Sequence, residues 1–211
     1  MNDALIYIFQ FIVFIFSVMV HEVSHGLMAY RLGDTTAKDA GRLNLNPLNH
    51  IDPLGSVILP LMLFIAGSPV LFGWAKPVPY NPYNLRNPRK GAALIGLAGP
   101  GSNFALALIF GVIIRIVSFA APAAQGSPLV LLLSSVVFIN LLLGIFNLVP
   151  IPPLDGSKLL FALLSPKYHE LQGFLEQYGL WILIVFIFFG INALVPIINA
   201  LFTLLTGTPI F

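Results

Sequence analysis

Residues 4–30 read ALIYIFQFIVFIFSVMVHEVSHGLMAY. The stretch is apolar through Val20 and is followed by Arg31 and the helix-stopping Gly33, so it is expected to form one helix. A hydrocarbon core about 30 Å thick is crossed by roughly 20 mostly apolar residues, and this helix is long enough to cross it. Its end carries His21, Glu22 and His25. Ionisable groups at such a position are costly to bury, and in a membrane helix they are a functional signal by default.

Composition extends the membrane assignment to the whole chain. Of its 211 residues 58% are hydrophobic and 9% charged, against roughly 25% charged in an ordinary soluble domain. Further helices are expected over residues 91–119 and 128–149, and an apolar stretch over 177–206 is marked by Gly190 and Pro196 for a kink or a break into two helices. The lipid bilayer is the main solvent, and one membrane-embedded domain over residues 1–211 is expected. The net charge is +2 with Lys and Arg scattered, so no nucleic-acid surface is indicated. There is no cysteine, which leaves His, Asp and Glu as metal ligands. The first apolar run leads into ionisable residues without a small-residue cleavage site, so no removable signal peptide is expected.

Between the first two long helices the pattern changes. Residues 54–73 are apolar but interrupted by Gly55, Pro60, Gly67, Pro69 and Gly73, which favours a re-entrant hairpin packed against protein over a straight span. Arg42–Asn46 alternates polar and apolar residues as a short strand would, and Ala75–Val78 is a second candidate strand. The expected fold class is therefore an all-α polytopic membrane protein. It has a three-helix core, a C-terminal helix or helices, a re-entrant hairpin and short membrane-embedded β segments.

The segment HEVSH places His21 and His25 four residues apart. On a helix both imidazoles then project from one face, one turn apart, as two tetrahedral zinc ligands require. Glu22 lies beside them. A carboxylate there can take a proton from water attacking a carbonyl and return it to the leaving amine, so the spacing signals metal-assisted hydrolysis. A catalytic zinc needs a third protein ligand. Asp3, Asp34, Asp39, Asp52, Glu170 and Glu176 lie in loops or tails, whereas Asp155 closes a membrane helix in the Pro-braced run FNLVPIPPLDG. Asp155 also suits an N-cap for a helix starting near Ser157, and the two roles can coexist. His50 and His169 sit beside loop residues and are left out of the site. Arg115 is placed where its stem can snorkel to headgroups.

If Asp155 shares a metal with His21 and His25, the ends of helices 4–30 and 128–149 lie at one membrane depth, and the crossings between them are even in number. Helices 91–119 and 128–149 supply two, so residues 54–73 must enter and return on one side. Short cytoplasmic loops collect Lys and Arg. With the hairpin, Arg31, Lys38, Arg42, Lys76, Arg86, Arg89, Lys90, Lys158 and Lys167 fall on one side and Arg115 on the other. The site is thus expected near the cytoplasmic face of the cell membrane, with the N-terminus outside.

Three ordered motifs cover nearly the whole chain: His21-Glu22-Val23-Ser24-His25, then Ala98-Gly99-Pro100 with Asn103, then Asn147 through Leu154-Asp155-Gly156. Together they resemble the site-2 protease family of intramembrane zinc metalloproteases, in a short form without PDZ or CBS domains. The resemblance implies one Zn2+ per chain held by His21, His25 and Asp155, with Glu22 as general base. It implies that Asn147 holds substrate or stabilises the oxyanion, and an amide that packs helices together is an equal alternative. It implies a transmembrane protein substrate that unwinds and adds to the edge of a membrane-embedded β segment. A homo-oligomer is left open. Two other readings keep the metal site: a peptidase acting on soluble or membrane-surface peptides, and a membrane metal-transport or metal-sensing protein.

Overall fold

Asn87 opens the helix around which the others are arranged. Its side chain accepts a hydrogen bond from the main-chain N–H of Lys90, and Pro88 takes the first helical position, where a missing N–H costs nothing. Helix α4 then runs from Pro88 to Ala120. The computed structural model describes residues 3–65 and 76–210. Around α4 are packed α1 (Asp3–Arg31), α5 (Pro128–Asn147), α6 (Asp155–Leu163) and α8 (Val195–Thr206). Short helices α2 (Thr36–Asp39) and α3 (Leu59–Ile65) lie in the α1–α4 connection, α3 being entered through a π-helical turn at Pro53–Ile58. Helix α7 (His169–Val185) precedes α8.

Among the described residues, four helical stretches are long and apolar enough to cross a membrane: Leu5–Arg31, Pro88–Ala120, Pro128–Asn147 and His169–Thr206. The last is interrupted by a π-helical turn at Phe186–Gly190 and a 3-10 turn at Ile191–Leu194. That is the break expected from Gly190 and Pro196, the proline falling in the first turn of α8, where it displaces no intrahelical bond. The chain is an integral membrane protein built of helices.

Its inside and outside are sorted accordingly. Phe16, Ile116, Trp181 and Phe188 point outward, as lipid-facing side chains do. One apolar core joins Ile114 of α4, Val137 and Leu141 of α5, and Ile198 and Phe202 of α8. A second, smaller one joins Ala29, Leu85 and Ile95 at the other end of the bundle. Between helices α1, α4 and α5 the buried residues include the polar Ser17, Asn103 and Asn140, where hydrocarbon is excluded and amides can pair.

Three expectations need revision or fall outside the described residues. Arg42–Asn46 is not a strand. The Asn44 carboxamide accepts from the N–H of Asn46 at 2.9 Å and donates to the Gly41 carbonyl at 2.5 Å, and such local bonds compete with a ladder. Residues 76–80 are irregular, and no strand forms among the described residues, so the β segment Ala75–Val78 is not realised over 76–78. Of residues 54–73, expected to form a re-entrant hairpin, 54–65 are helical and 66–73 lie outside the described residues. Arg115 does more than snorkel: its guanidinium donates to the Leu204 carbonyl at 2.6 Å and to the Leu205 carbonyl at 2.8 Å, closing the C-terminal end of α8.

Candidate metal centre

Helical spacing brings His21 and His25 onto one side of α1, with ring centroids 4.6 Å apart and the rings edge-on at 87°. Both are buried. Asp155, the first residue of α6, sends its carboxylate between them: Oδ2 lies 3.0 Å from Nε2 of His21 and 3.0 Å from Nε2 of His25. The other oxygen, Oδ1, accepts from Lys158 Nζ at 2.9 Å, one helical turn on. Leu154 and not Asp155 is the N-cap of α6. The capping role open at Asp155 is therefore not taken, and the carboxylate is free to face α1. Gly156 makes this placement possible, because a Cβ there would lie 2.6 Å from the Val149 carbonyl oxygen and closer still to that of Leu148.

Helix α4 forms the floor. A Cβ at Gly99 would stand 2.6 Å from His21 Nε2 and nearer to His25 Nε2, so only a glycine leaves room where the two nitrogens converge. The same helix fixes both rings from behind. His25 Nδ1 donates to the Ile95 carbonyl at 2.6 Å, and His21 Nδ1 meets Oδ1 of Asn103 at 2.6 Å. Carbonyl oxygens only accept, so each Nδ1 carries its hydrogen. In its neutral form each ring then presents a lone pair at Nε2 to the same carboxylate oxygen. A divalent cation satisfies those three donor atoms together, and a set of two imidazoles and a carboxylate without thiolate suits zinc. The residues present fit such an ion, with Gly99 keeping the space clear.

Glu22 lies on the next position of α1, half-buried, and its carboxylate is within 4.8 Å of the donor atoms of His21 and His25. Its Oε2 accepts the main-chain N–H of Val78 at 2.9 Å. The irregular segment 76–80 is thus laid across the end of α1, and its ends are tied down. Lys76 N–H donates to the His50 carbonyl at 2.9 Å, and the Lys76 carbonyl accepts from Arg42 at 2.8 Å. Beyond it, Asp34 acts as a clamp. One carboxylate oxygen accepts from Thr36 N–H at 3.1 Å, Thr36 Oγ1 at 2.5 Å and Asn84 Nδ2 at 2.8 Å, and the other from Asn81 N–H at 2.7 Å. Burial pushes the Asp34 carboxyl up, but the bonds from Thr36, Asn84 and Asn81 prevail and hold it below the usual carboxylate range.

Of the residues singled out in the sequence, His21, His25, Asp155 and Glu22 come together. Asn147 donates to the Leu143 carbonyl of its own helix at 3.0 Å. His50, left out of the site, is buried, and its Nε2 donates to the Asn44 carbonyl at 2.9 Å. His169 is an exposed residue at the start of α7. The sequence reading missed Lys158, whose three-residue spacing from Asp155 was a usable signal, and Asn140, an amide in a largely apolar helix. The Ile95 carbonyl and the Val78 N–H carry no signal in side-chain identity.

The chain shares sequence with known proteins over most of its length. Residues 111–190, which include Asn147 and Asp155, match the sequence model of peptidase family M50. YwhC of Bacillus subtilis (strain 168) is 37% identical over 194 residues, covering 90% of this chain and 85% of that protein. Rip2 of Mycolicibacterium smegmatis is 30% identical, covering 80% of this chain and 62% of that protein. The zinc metalloprotease MJ0392 of Methanocaldococcus jannaschii is 30% identical, covering 82% of this chain and 39% of that longer protein. No solved structure matches. With four apolar spans, a His–Glu–His helix end meeting Asp155, and these relatives, the chain belongs to peptidase family M50, the site-2 protease family of metalloproteases.

Proposed function

We propose that the protein is an intramembrane zinc endopeptidase that hydrolyses peptide bonds of transmembrane protein substrates near the cytoplasmic face of the cell membrane. The observation that carries this reading is the approach of Asp155 Oδ2 to within 3.0 Å of both His21 Nε2 and His25 Nε2 from a helix 134 residues away in sequence from His21. His21, His25 and Asp155 hold one zinc ion. When bound, zinc supplies Lewis acidity toward a peptide carbonyl and a position for water. Glu22 takes the proton from the attacking water and delivers it to the leaving amine, while the Val78 N–H fixes one of its carboxylate oxygens. A helical substrate segment unwinds before its amide reaches the site. Asn147, released from the Leu143 carbonyl, is the candidate for holding substrate or the developing oxyanion.

Orientation follows from charge. Nine of the ten basic residues, Arg115 excepted, lie in segments joined to the metal-site ends of the helices, the side that short cytoplasmic loops occupy. Single cysteines at residues 38 and 86, labelled from one face in intact cells or vesicles, test this. Labelling from opposite faces would remove the hairpin from the topology.

The decisive variant is Glu22→Gln in purified, membrane-reconstituted protein. Loss of cleavage of a model transmembrane substrate with zinc retained is expected. Cleavage at the original rate would sink the assignment and leave a metal-transport or metal-sensing role for the same ligands. Comparing membrane proteomes of cells carrying wild-type and Glu22→Gln protein would identify the substrate.

A further inference from the structure

A polar chain leads away from the metal centre into the middle of the helix bundle. Asn103 of α4 and Asn140 of α5 are fully buried, and Ser17 of α1 nearly so. Asn140 Nδ2 donates to the Val136 carbonyl of its own helix at 2.9 Å and to Ser17 Oγ at 2.9 Å. Its Oδ1 accepts from Asn103 Nδ2 at 3.0 Å, and Asn103 Nδ2 also faces the Ser17 carbonyl at 3.4 Å. Asn103 Oδ1 then meets His21 Nδ1 at 2.6 Å.

The chain has a direction that its members cannot reverse singly. A carbonyl only accepts, so the Val136 oxygen identifies the amide nitrogen of Asn140 and leaves the Asn140 oxygen facing Asn103. That oxygen requires the Asn103 nitrogen, and the Asn103 oxygen is left for His21. His21 must answer with a hydrogen on Nδ1, which places its lone pair on Nε2, toward Asp155 and His25. In a membrane interior an unmet amide group is expensive, so the whole set is held in one arrangement.

We infer that Asn140, two amides removed from the metal centre, is a positioning residue that fixes the side-chain orientation of Asn103 and through it the ligating nitrogen of His21. The inference rests on the proposal that His21 binds zinc. Without the Asn140 oxygen, only the longer 3.4 Å bond to the Ser17 carbonyl holds the Asn103 nitrogen away from His21, and an Asn103 turned the other way stabilises the tautomer with its hydrogen on Nε2, the one that cannot ligate there. Bonds behind a metal ligand typically change metal affinity by about 10–100-fold when lost.

The test compares full-length wild type, Asn140→Leu, Asn140→Asp and His21→Ala in detergent, with zinc affinity measured against a chromophoric chelator. Asn140→Leu should weaken zinc binding by about tenfold, the lower end for supporting bonds. Asn140→Asp keeps an acceptor for Asn103 and should restore affinity to within about threefold of wild type, well inside that loss. A purely structural amide predicts the opposite order, because a buried carboxylate in the bundle is worse tolerated than leucine. A second readout uses zinc-loaded wild-type protein with ring-labelled histidine, in which 15N NMR should show His21 ligating through Nε2 and protonated at Nδ1. Ligation through Nδ1 overturns the inference whether or not any variant folds. Equal affinity of wild type and Asn140→Leu also overturns it, as does an Asp variant weaker than the Leu variant. If His21→Ala binds zinc as wild type does, the ligand assignment itself fails, which is a different result from failure of the relay.

Discussion

The main-chain N–H of Val78 donates to Oε2 of Glu22 at 2.9 Å across 56 residues of sequence. A flexible carboxylate at the end of a helix is thereby given one orientation by a backbone group flanked by Pro77 and Pro79. Positioning of this kind acts on the chemical step more than on binding.

Val78→Pro removes that donor while keeping an extended backbone among neighbouring prolines. A hydrogen bond to a charged acceptor contributes about 1.5–3 kcal/mol, so kcat should fall by about tenfold or more. Zinc content should be unchanged. Steady-state kinetics on a reconstituted substrate check this, and a change confined to KM would contradict it.

Gly99→Ala puts a methyl group 2.6 Å from His21 Nε2 and closer to His25 Nε2. Neither ring can retreat without giving up its bond to Asn103 or to the Ile95 carbonyl. Zinc affinity should fall by at least about 100-fold, the upper end for disturbed ligand support, and proteolysis should disappear. Metal analysis of purified protein reads the outcome. Near-stoichiometric zinc in the variant would mean that the floor of the site is not at Gly99.

Arg115→Leu deletes the donors that meet the Leu204 and Leu205 carbonyls at 2.6 and 2.8 Å. A cation at a helix C-terminus contributes about 0.3–1 kcal/mol when exposed, and the lost bonds bring the expected destabilisation to about 1–2 kcal/mol. Thermal unfolding in detergent should shift downward with zinc affinity untouched. An unchanged midpoint would show that water or lipid headgroups serve those carbonyls equally well.

Asp34→Asn breaks the clamp on the connection that carries Val78. Asn81 N–H and Asn84 Nδ2 lose a charged acceptor, and a hydrogen bond to a charged group contributes about 1.5–3 kcal/mol. The Asp34 carboxyl is held below its usual range, so its contribution is complete above the unfolded value of about 3.9 and is lost as pH falls through the folded value. The stability gap between wild type and variant should be flat from neutral pH to about pH 5 and narrow below about pH 4, given that unfolded value. A gap that widens on acidification would reverse the sign and refute the clamp.

Helix existence and chemistry were legible in the chain. α1, α4, α5 and the broken C-terminal span each declare themselves by apolar length, and Pro196 marks the break, whereas α4 begins at Pro88, three residues before the expected start at residue 91. Four-residue spacing sufficed to put His21 and His25 on one side of α1, and elimination among the acidic residues singled out Asp155. The strand expected at Arg42–Asn46 failed because an alternating pattern of five residues is weaker than the turns made by Asn44.

What sequence determines here is whatever depends on neighbours along the chain: solvent preference, helical periodicity and the identity of the groups able to bind a metal. Only the tertiary structure decided that Asn103 reaches His21 across 82 residues, that it donates to Asn140 across 37, and that a main-chain N–H at Val78 bonds Glu22. The physical reason is that hydrophobic length and helix spacing are local properties. The partner of a buried amide or carboxylate, by contrast, is fixed by which helix faces pack together, and backbone donors and acceptors are the same in every residue that has them.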